Sequence, residues 1–155
     1  MKKISFVFIL IGLMFLVACQ QNGDNKAKNS VSTSVVTIDS NTTTPIVLVY
    51  NFYSTHRCPS CIAIENATIK TLDSLYTEQV KNGIIKRFSI NIDDAANAKL
   101  CEKYQAFGSG IFVTQILKGK ETTIDLTGDG FKFAMNKEEK FIEILKSKID
   151  EFLKQ

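Results

Sequence analysis

Apolar and polar residues divide the chain into three stretches. Residues 4–17 are almost entirely apolar and follow two lysines. Residues 20–44 are polar: fifteen of these twenty-five are Asn, Gln, Ser or Thr. From Pro45 onward, apolar residues return with regular spacing. The pattern therefore predicts an apolar leader over residues 1–18, a flexible tether over residues 19–44 that cannot bury enough surface to fold, and one folded domain over residues 45–155.

Within the domain, the spacing of apolar residues alternates between strand and helix patterns. β-Branched and aromatic runs bounded by turn residues predict strands, and apolar residues three and four apart with charges between them predict helices. The predicted strands are residues 46–53, 84–92, 111–117 and 121–126; the predicted helices are residues 62–80, 95–105 and 137–153. A loop is predicted at Gly128-Asp129-Gly130.

The resulting order is β-α-β-α-β-β-α, which predicts an α/β fold. Two strands joined through a helix form a parallel pair by a right-handed crossover, and the short turn at residues 118–120 predicts an antiparallel hairpin. We therefore expect a three-layer sandwich with a mixed central sheet and helices on both faces.

Composition and charge narrow the functional classes. The chain has 155 residues, 45% of them hydrophobic, and a formal net charge of +3, which excludes a largely disordered protein. Without residues 1–18, 17 basic and 16 acidic residues remain, so the formal charge falls to +1. Such a small charge argues against a nucleic-acid partner.

The leader has the features of an export signal. Its apolar run of fourteen residues, interrupted only by Ser5 and Gly12, is shorter than the about 20 residues that a transmembrane helix needs, but it fits a signal-peptide core. The run ends in LVAC at residues 16–19, which resembles a bacterial lipobox. The resemblance implies cleavage before Cys19, its lipidation, and anchoring in the bacterial cell envelope; Gln20 resembles the outer-membrane sorting pattern. The alternative is an ordinary secretory signal followed by an accidental cysteine.

A CxxC motif lies between the first strand and the first helix. Cys58 and Cys61 flank Pro59 and Ser60, and thiols at this spacing can close a small disulfide. At a helix N-terminus, unpaired N–H groups and the helix dipole favour the Cys58 anion, and Arg57 adds a positive charge. Such surroundings lower the pKa of a thiol below its usual value of about 8.5. We therefore expect Cys58 to be a nucleophile and Cys61 the more buried resolving thiol.

The domain resembles the thioredoxin-like superfamily over residues 45–155. The matching features are a hydrophobic strand running into CPSC, a helix, the strand end INID at residues 90–93, and Lys103-Tyr104 before a glycine-containing loop and a hairpin. The resemblance implies a thioredoxin-like fold and a redox-active dithiol, with no bound cofactor. The lipoprotein form and the tether are similar to thioredoxin-like subunits associated with nitroreduction of nitrophenyl compounds.

The chain also departs from the superfamily pattern. Gly110 stands where a cis-proline usually precedes the strand facing the CxxC, so Gly110 and Ile111 are the expected substrate loop. The buried acid of thioredoxin would fall at Phe52 and its partner lysine at Ser89, neither of which ionises at ordinary pH. The fold is thus implied more directly than a thioredoxin-type proton shuttle.

Three further features each allow two interpretations. Cys101 is either an inert buried thiol or a third thiol within reach of the CxxC. His56 is either an exposed loop residue or a group that assists the thiolate, and with Cys58 and Cys61 it forms an incomplete metal-ligand set. Asp93 and Asp94 follow a strand end and are expected to cap the next helix.

These observations lead to two functional hypotheses. The first is a membrane-anchored envelope thiol–disulfide oxidoreductase with Cys58, Cys61, Arg57 and His56 at its site; its partners are protein or small-molecule disulfides or thiols and an envelope electron donor. The second is a non-catalytic module, within an envelope complex, that binds a thiophilic metal or senses redox state. The residues do not fix the direction of exchange.

Overall fold

The computed structural model describes residues 43–154. The leader, Cys19 and nearly all of the tether lie outside the described residues. Among the helices of the described part, none combines the length and the apolar character that crossing a membrane requires.

The described chain forms four strands and five helices. The strands are β1 (Ile46–Tyr53), β2 (Ile85–Asn91), β3 (Gly110–Leu117) and β4 (Lys120–Asp125). The helices are α1 (Pro59–Leu75), α2 (Thr77–Lys81), α3 (Ala98–Tyr104), α4 (Thr127–Phe133) and α5 (Glu138–Leu153), and a short 3-10 turn (Ala95–Asn97) precedes α3. All four predicted strands are confirmed to within one residue at each end.

The strands form one mixed sheet in the order β2-β1-β3-β4. β1 runs parallel to β2 and antiparallel to β3, and β3 is antiparallel to β4. The β3–β4 turn uses Lys118 and Gly119, both with positive φ, which is the backbone of a tight two-residue hairpin. The mixed α/β class, the parallel first pair and the hairpin are confirmed.

Helices cover both faces of the sheet. Alternate residues of β1 point to opposite faces. Val47 and Val49 belong to a core cluster with Ile64 of α1 and Phe141 of α5. A second cluster contains Phe52, together with Cys101 and Tyr104 of α3. The two central strands are therefore packed from both sides.

The predicted helix over residues 62–80 is wrong at its start and in its middle, whereas its predicted end lies one residue before the end of α2. The helix begins earlier, at Pro59, because proline suits the first helical position. It then breaks at Tyr76, whose φ of −133° and ψ of 23° are not helical. The buried Tyr76 hydroxyl donates to Asp150 Oδ1 at 2.7 Å. The break therefore places the Tyr76 side chain where its hydroxyl links the end of α1 to α5.

The predicted loop at Gly128-Asp129-Gly130 is also wrong, since these residues lie in α4. A Cβ on Gly130 would lie 3.0 Å from Cδ1 of Ile64 and 3.4 Å from Cγ2 of Ile111. Gly130 therefore allows α4 to approach α1 and β3 closely, and its presence does not indicate a loop.

Candidate redox site

The two cysteines of the CxxC form a disulfide where the chain enters α1. The Cα atoms of Cys58 and Cys61 are 5.1 Å apart, and the bond spans a sequence separation of 3. Cys58 is the N-cap of α1, and its Sγ accepts the backbone N–H of Cys61 at 3.1 Å. Cys58 is partly exposed, whereas Cys61 is only 7% exposed. The difference in exposure agrees with the roles expected for an attacking and a resolving thiol.

Two contacts keep the Arg57 side chain partly buried. Its Nη1 donates to Oε2 of Glu65 in an ion pair, and its guanidinium carbon lies 4.7 Å from the centroid of the Tyr53 ring. Its Nε and Nη2 are buried and have no hydrogen-bond partner in the described part of the chain. The positive charge of Arg57 beside Cys58 is therefore paired with the negative charge of Glu65, a residue that the sequence did not single out.

Glu65 is the acidic member of this network. It lies one helical turn after Cys61, its side chain is 13% exposed, and its Oε1 accepts the hydroxyl of Ser89 at 2.6 Å. Burial raises the pKa of Glu65, but the hydrogen bonds from Ser89 and Arg57 and the charges of Arg57 and Arg87 outweigh it and leave the pKa below its ordinary value. Glu65 is therefore a carboxylate at neutral pH.

The residue of β1 that faces α1 near the disulfide is Asn51. Phe52, where the alignment places the buried acid, lies in the core cluster on the opposite face. Asn51 is 2% exposed, pairs in register with Ser89 of β2, and its Oδ1 lacks a hydrogen-bond partner among the described residues. Phe52 and Asn51 are neighbours in β1, so their side chains point to opposite faces of the sheet. A neutral amide occupies the interior beneath α1.

The loop before the disulfide is tied to the end of β2. The backbone N–H of Thr55 donates to Oδ2 of Asp93 at 2.7 Å. Asp94, by contrast, accepts the N–H of Ala96 at 2.9 Å and caps the 3-10 turn. The predicted capping role is confirmed for Asp94 and wrong for Asp93. His56 is exposed in this loop, and its carbonyl accepts the Ser54 hydroxyl at 2.9 Å.

Gly110 lies at the same edge of the sheet as the disulfide loop. Gly110 pairs with Phe52, one residue before β1 ends, and opens β3. No peptide bond in residues 43–154 is cis. A Cβ on Gly110 would lie 2.7 Å from Oγ1 of Thr127, which accepts the N–H of Ile111 at 3.1 Å. Ile111 itself is fully buried. Gly110 is also buried, so neither residue of the expected substrate loop is exposed at this edge.

An exposed methionine, Met135, contacts Ser60 inside the CxxC motif. Ser60 Oγ donates to Sδ of Met135 at 3.7 Å, and Met135 is 53% exposed. No local pattern indicates this contact, because the two residues are 75 positions apart in the chain.

Cys101 lies apart from the disulfide. It is buried with Tyr104 and Phe112, and burial raises the pKa of its thiol. This cluster covers the face of the sheet opposite α1, which supports the interpretation of an inert buried thiol.

The described residues assemble no metal-ligand set. Within residues 43–154, no group of three or more His, Cys, Asp or Glu side chains is placed to hold a metal ion. With the disulfide closed, His56 is therefore not joined to Cys58 and Cys61 in such a site.

We expect Gly110→Ala to destabilise the domain by about 1–3 kcal/mol, because the added methyl group would displace the Thr127 hydroxyl from its contact. Gly108→Ala is the matched control, since a Cβ there meets nothing within 4 Å. Urea unfolding of both variants measures the difference. Equal midpoints for the two variants would contradict the close approach at Gly110.

We expect Glu65→Gln to lower the free energy of unfolding by about 1–2 kcal/mol at pH 7, through loss of charged hydrogen bonds. A lowered folded-state pKa stabilises the fold above the unfolded-state pKa and loses this contribution as pH falls. The difference between the two proteins should therefore shrink as pH falls from about 5 through the ordinary glutamate range. Urea unfolding at several pH values tests this, and a difference that does not change with pH would contradict it.

Comparison with known proteins adds little to this geometry. No protein-family model matches the chain, and no curated protein matches it. A solved structure described as "Structure of a malarial protein" is similar over 63% of this chain and 94% of its own, with 15% identity and a TM-score of 0.38.

Proposed function

We propose that this chain is a thiol–disulfide oxidoreductase with a thioredoxin-like fold, held by a lipid on Cys19 at a membrane of the bacterial cell envelope. The observation that carries the proposal is the Cys58–Cys61 disulfide at the N-terminus of α1, with one cysteine partly exposed and the other buried. The mixed sheet order and the helices on both faces support the fold.

The local geometry favours a reactive Cys58. When the disulfide is reduced, the Cys61 N–H that now points at Cys58 Sγ can stabilise a thiolate there, together with the positive end of the α1 dipole. Cys61 lies in the first turn of the same helix, so its thiol remains close to Cys58. The site therefore offers one accessible nucleophile and one nearby resolving group.

The reaction proceeds by two exchanges. The Cys58 thiolate attacks one sulfur of a substrate disulfide, the Cys58–substrate bond forms, and the other substrate sulfur leaves as a thiolate that takes a proton from solvent. Cys61 then loses its proton to solvent and attacks Cys58, which closes the protein disulfide and releases the second substrate thiol. The substrate gains two electrons and two protons; a dithiol electron donor of the envelope restores the protein by the reverse steps.

We expect Cys61→Ser to accumulate a mixed disulfide with a substrate such as oxidised glutathione, because the resolving thiol is absent. Cys58→Ser should form no such adduct, and Cys101→Ala should cycle as the unchanged protein does. Mass spectrometry of the full chain after incubation measures the adducts. Absence of cycling by the unchanged protein, or zinc retained by its reduced form in stoichiometric amount, would contradict the proposed function.

The lipid anchor has its own test. Cells expressing the full chain and fed a labelled fatty acid should incorporate the label, and Cys19→Ala should abolish incorporation. Label retained by the variant would place the lipid elsewhere or exclude the lipobox interpretation.

A further inference from the structure

An ion pair is formed by residues that lie just before the CxxC and one helical turn after it. Arg57 precedes Cys58 directly, and its guanidinium pairs with Glu65, one turn beyond Cys61. The ion pair therefore bridges the two ends of the CxxC. Its side chains are only 26% and 13% exposed, so solvent screens it less than a fully exposed pair.

Groups of the loop, β1 and β2 lie around the Arg57–Glu65 pair. The loop supplies Arg57, and β2 supplies the Ser89 hydroxyl together with the charge of Arg87. From β1 come the Tyr53 ring, which lies against Arg57, and the neutral amide of Asn51. Glu65 is thus the negative charge in this set, and the groups from the sheet and the loop fix its position.

We propose that Glu65 is a positioning residue that sets the reduction potential of the Cys58–Cys61 pair by holding Arg57 and offsetting its charge. The inference rests on the proposed function and extends it to the direction of exchange. Reduction produces the Cys58 thiolate, which a nearby cation stabilises and a nearby anion destabilises. A carboxylate paired with Arg57 therefore weakens the support that this cation gives the thiolate, and it makes the dithiol a stronger reductant.

The same geometry predicts opposite effects for the two partners. Without the Glu65 charge, Arg57 stabilises the thiolate with its full positive charge. The unpaired Nε and Nη2 of Arg57 can then turn toward the thiolate. Without Arg57, the Glu65 charge is uncompensated and disfavours the thiolate. If the ion pair had only a structural role, removing Glu65 and removing Arg57 would not have opposite effects on the thiolate.

The test is the equilibrium of the full chain with reduced and oxidised glutathione at pH 7, using Glu65→Gln, Arg57→Gln and the double variant. We expect Glu65→Gln to shift the equilibrium three- to tenfold toward the dithiol, where tenfold corresponds to about 30 mV. Arg57→Gln should shift it in the opposite direction, and the double variant should lie within about twofold of the unchanged protein.

Glu138→Gln is the matched control. Glu138 pairs at 2.7 Å with Lys70, which lies in α1 more than two turns beyond Cys61. Both side chains of this pair are well exposed. This variant should leave the equilibrium unchanged. Should Glu65→Gln fail to fold, Ser89→Ala replaces it, because losing the Ser89 bond loosens Glu65 and should give a smaller shift in the same direction.

The outcomes separate the two proposals. If the unchanged protein shows no equilibrium with glutathione, the proposed function fails. If it does, but Glu65→Gln behaves as Glu138→Gln, or shifts in the same direction as Arg57→Gln, the role of Glu65 is overturned. The rate of Cys58 alkylation by iodoacetamide below pH 7 gives an independent reading: it should rise severalfold in Glu65→Gln and fall in Arg57→Gln.

Discussion

The antiparallel pairing of β1 with β3 is the constraint on which the other elements depend. These two strands form the centre of the sheet, and their inward residues on one face, including Val47, Val49 and Val113, are fully buried under α1 and α5. The pairing also sets β1's end beside β3's start, which brings the disulfide loop and Gly110 to one edge. The disulfide therefore lies where covered strands end and loops begin, which is where binding and catalytic residues are commonly found.

Charge at this edge is balanced more closely than the sequence indicates. Arg57 beside Cys58 predicts a locally positive site, yet its partner Glu65 and the Ser89 hydroxyl complete a network that spans the loop, α1 and β2. Desolvation makes such contacts stronger than the same groups would be in water. The cysteine pair therefore lies beside an ion pair and not beside a single positive charge.

The sequence predicts the sheet well and the site only in part. β-Branched runs identify the strands because that signal is local, whereas the spacing of apolar residues places the start of α1 three residues too late. The break at Tyr76 depends on Asp150, and α4 depends on close approach to Ile64, so neither is visible in local spacing. Glu65 has the same limitation: it looks like any charged residue on a helix until Ser89 is placed opposite it. Asn51 is likewise not singled out by the sequence, because its burial becomes visible only when β1 is placed in the sheet.

The short span of the disulfide has a consequence for the fold as a whole. A bridge between residues 58 and 61 restricts the unfolded chain far less than one between distant segments, since the entropy it removes grows with loop length. The first turn of α1 is also fastened by backbone: the Ile62 N–H donates to the Cys58 carbonyl at 3.1 Å. This backbone bond does not involve the sulfur atoms, so we expect the start of α1 to persist when the sulfur–sulfur bond is opened.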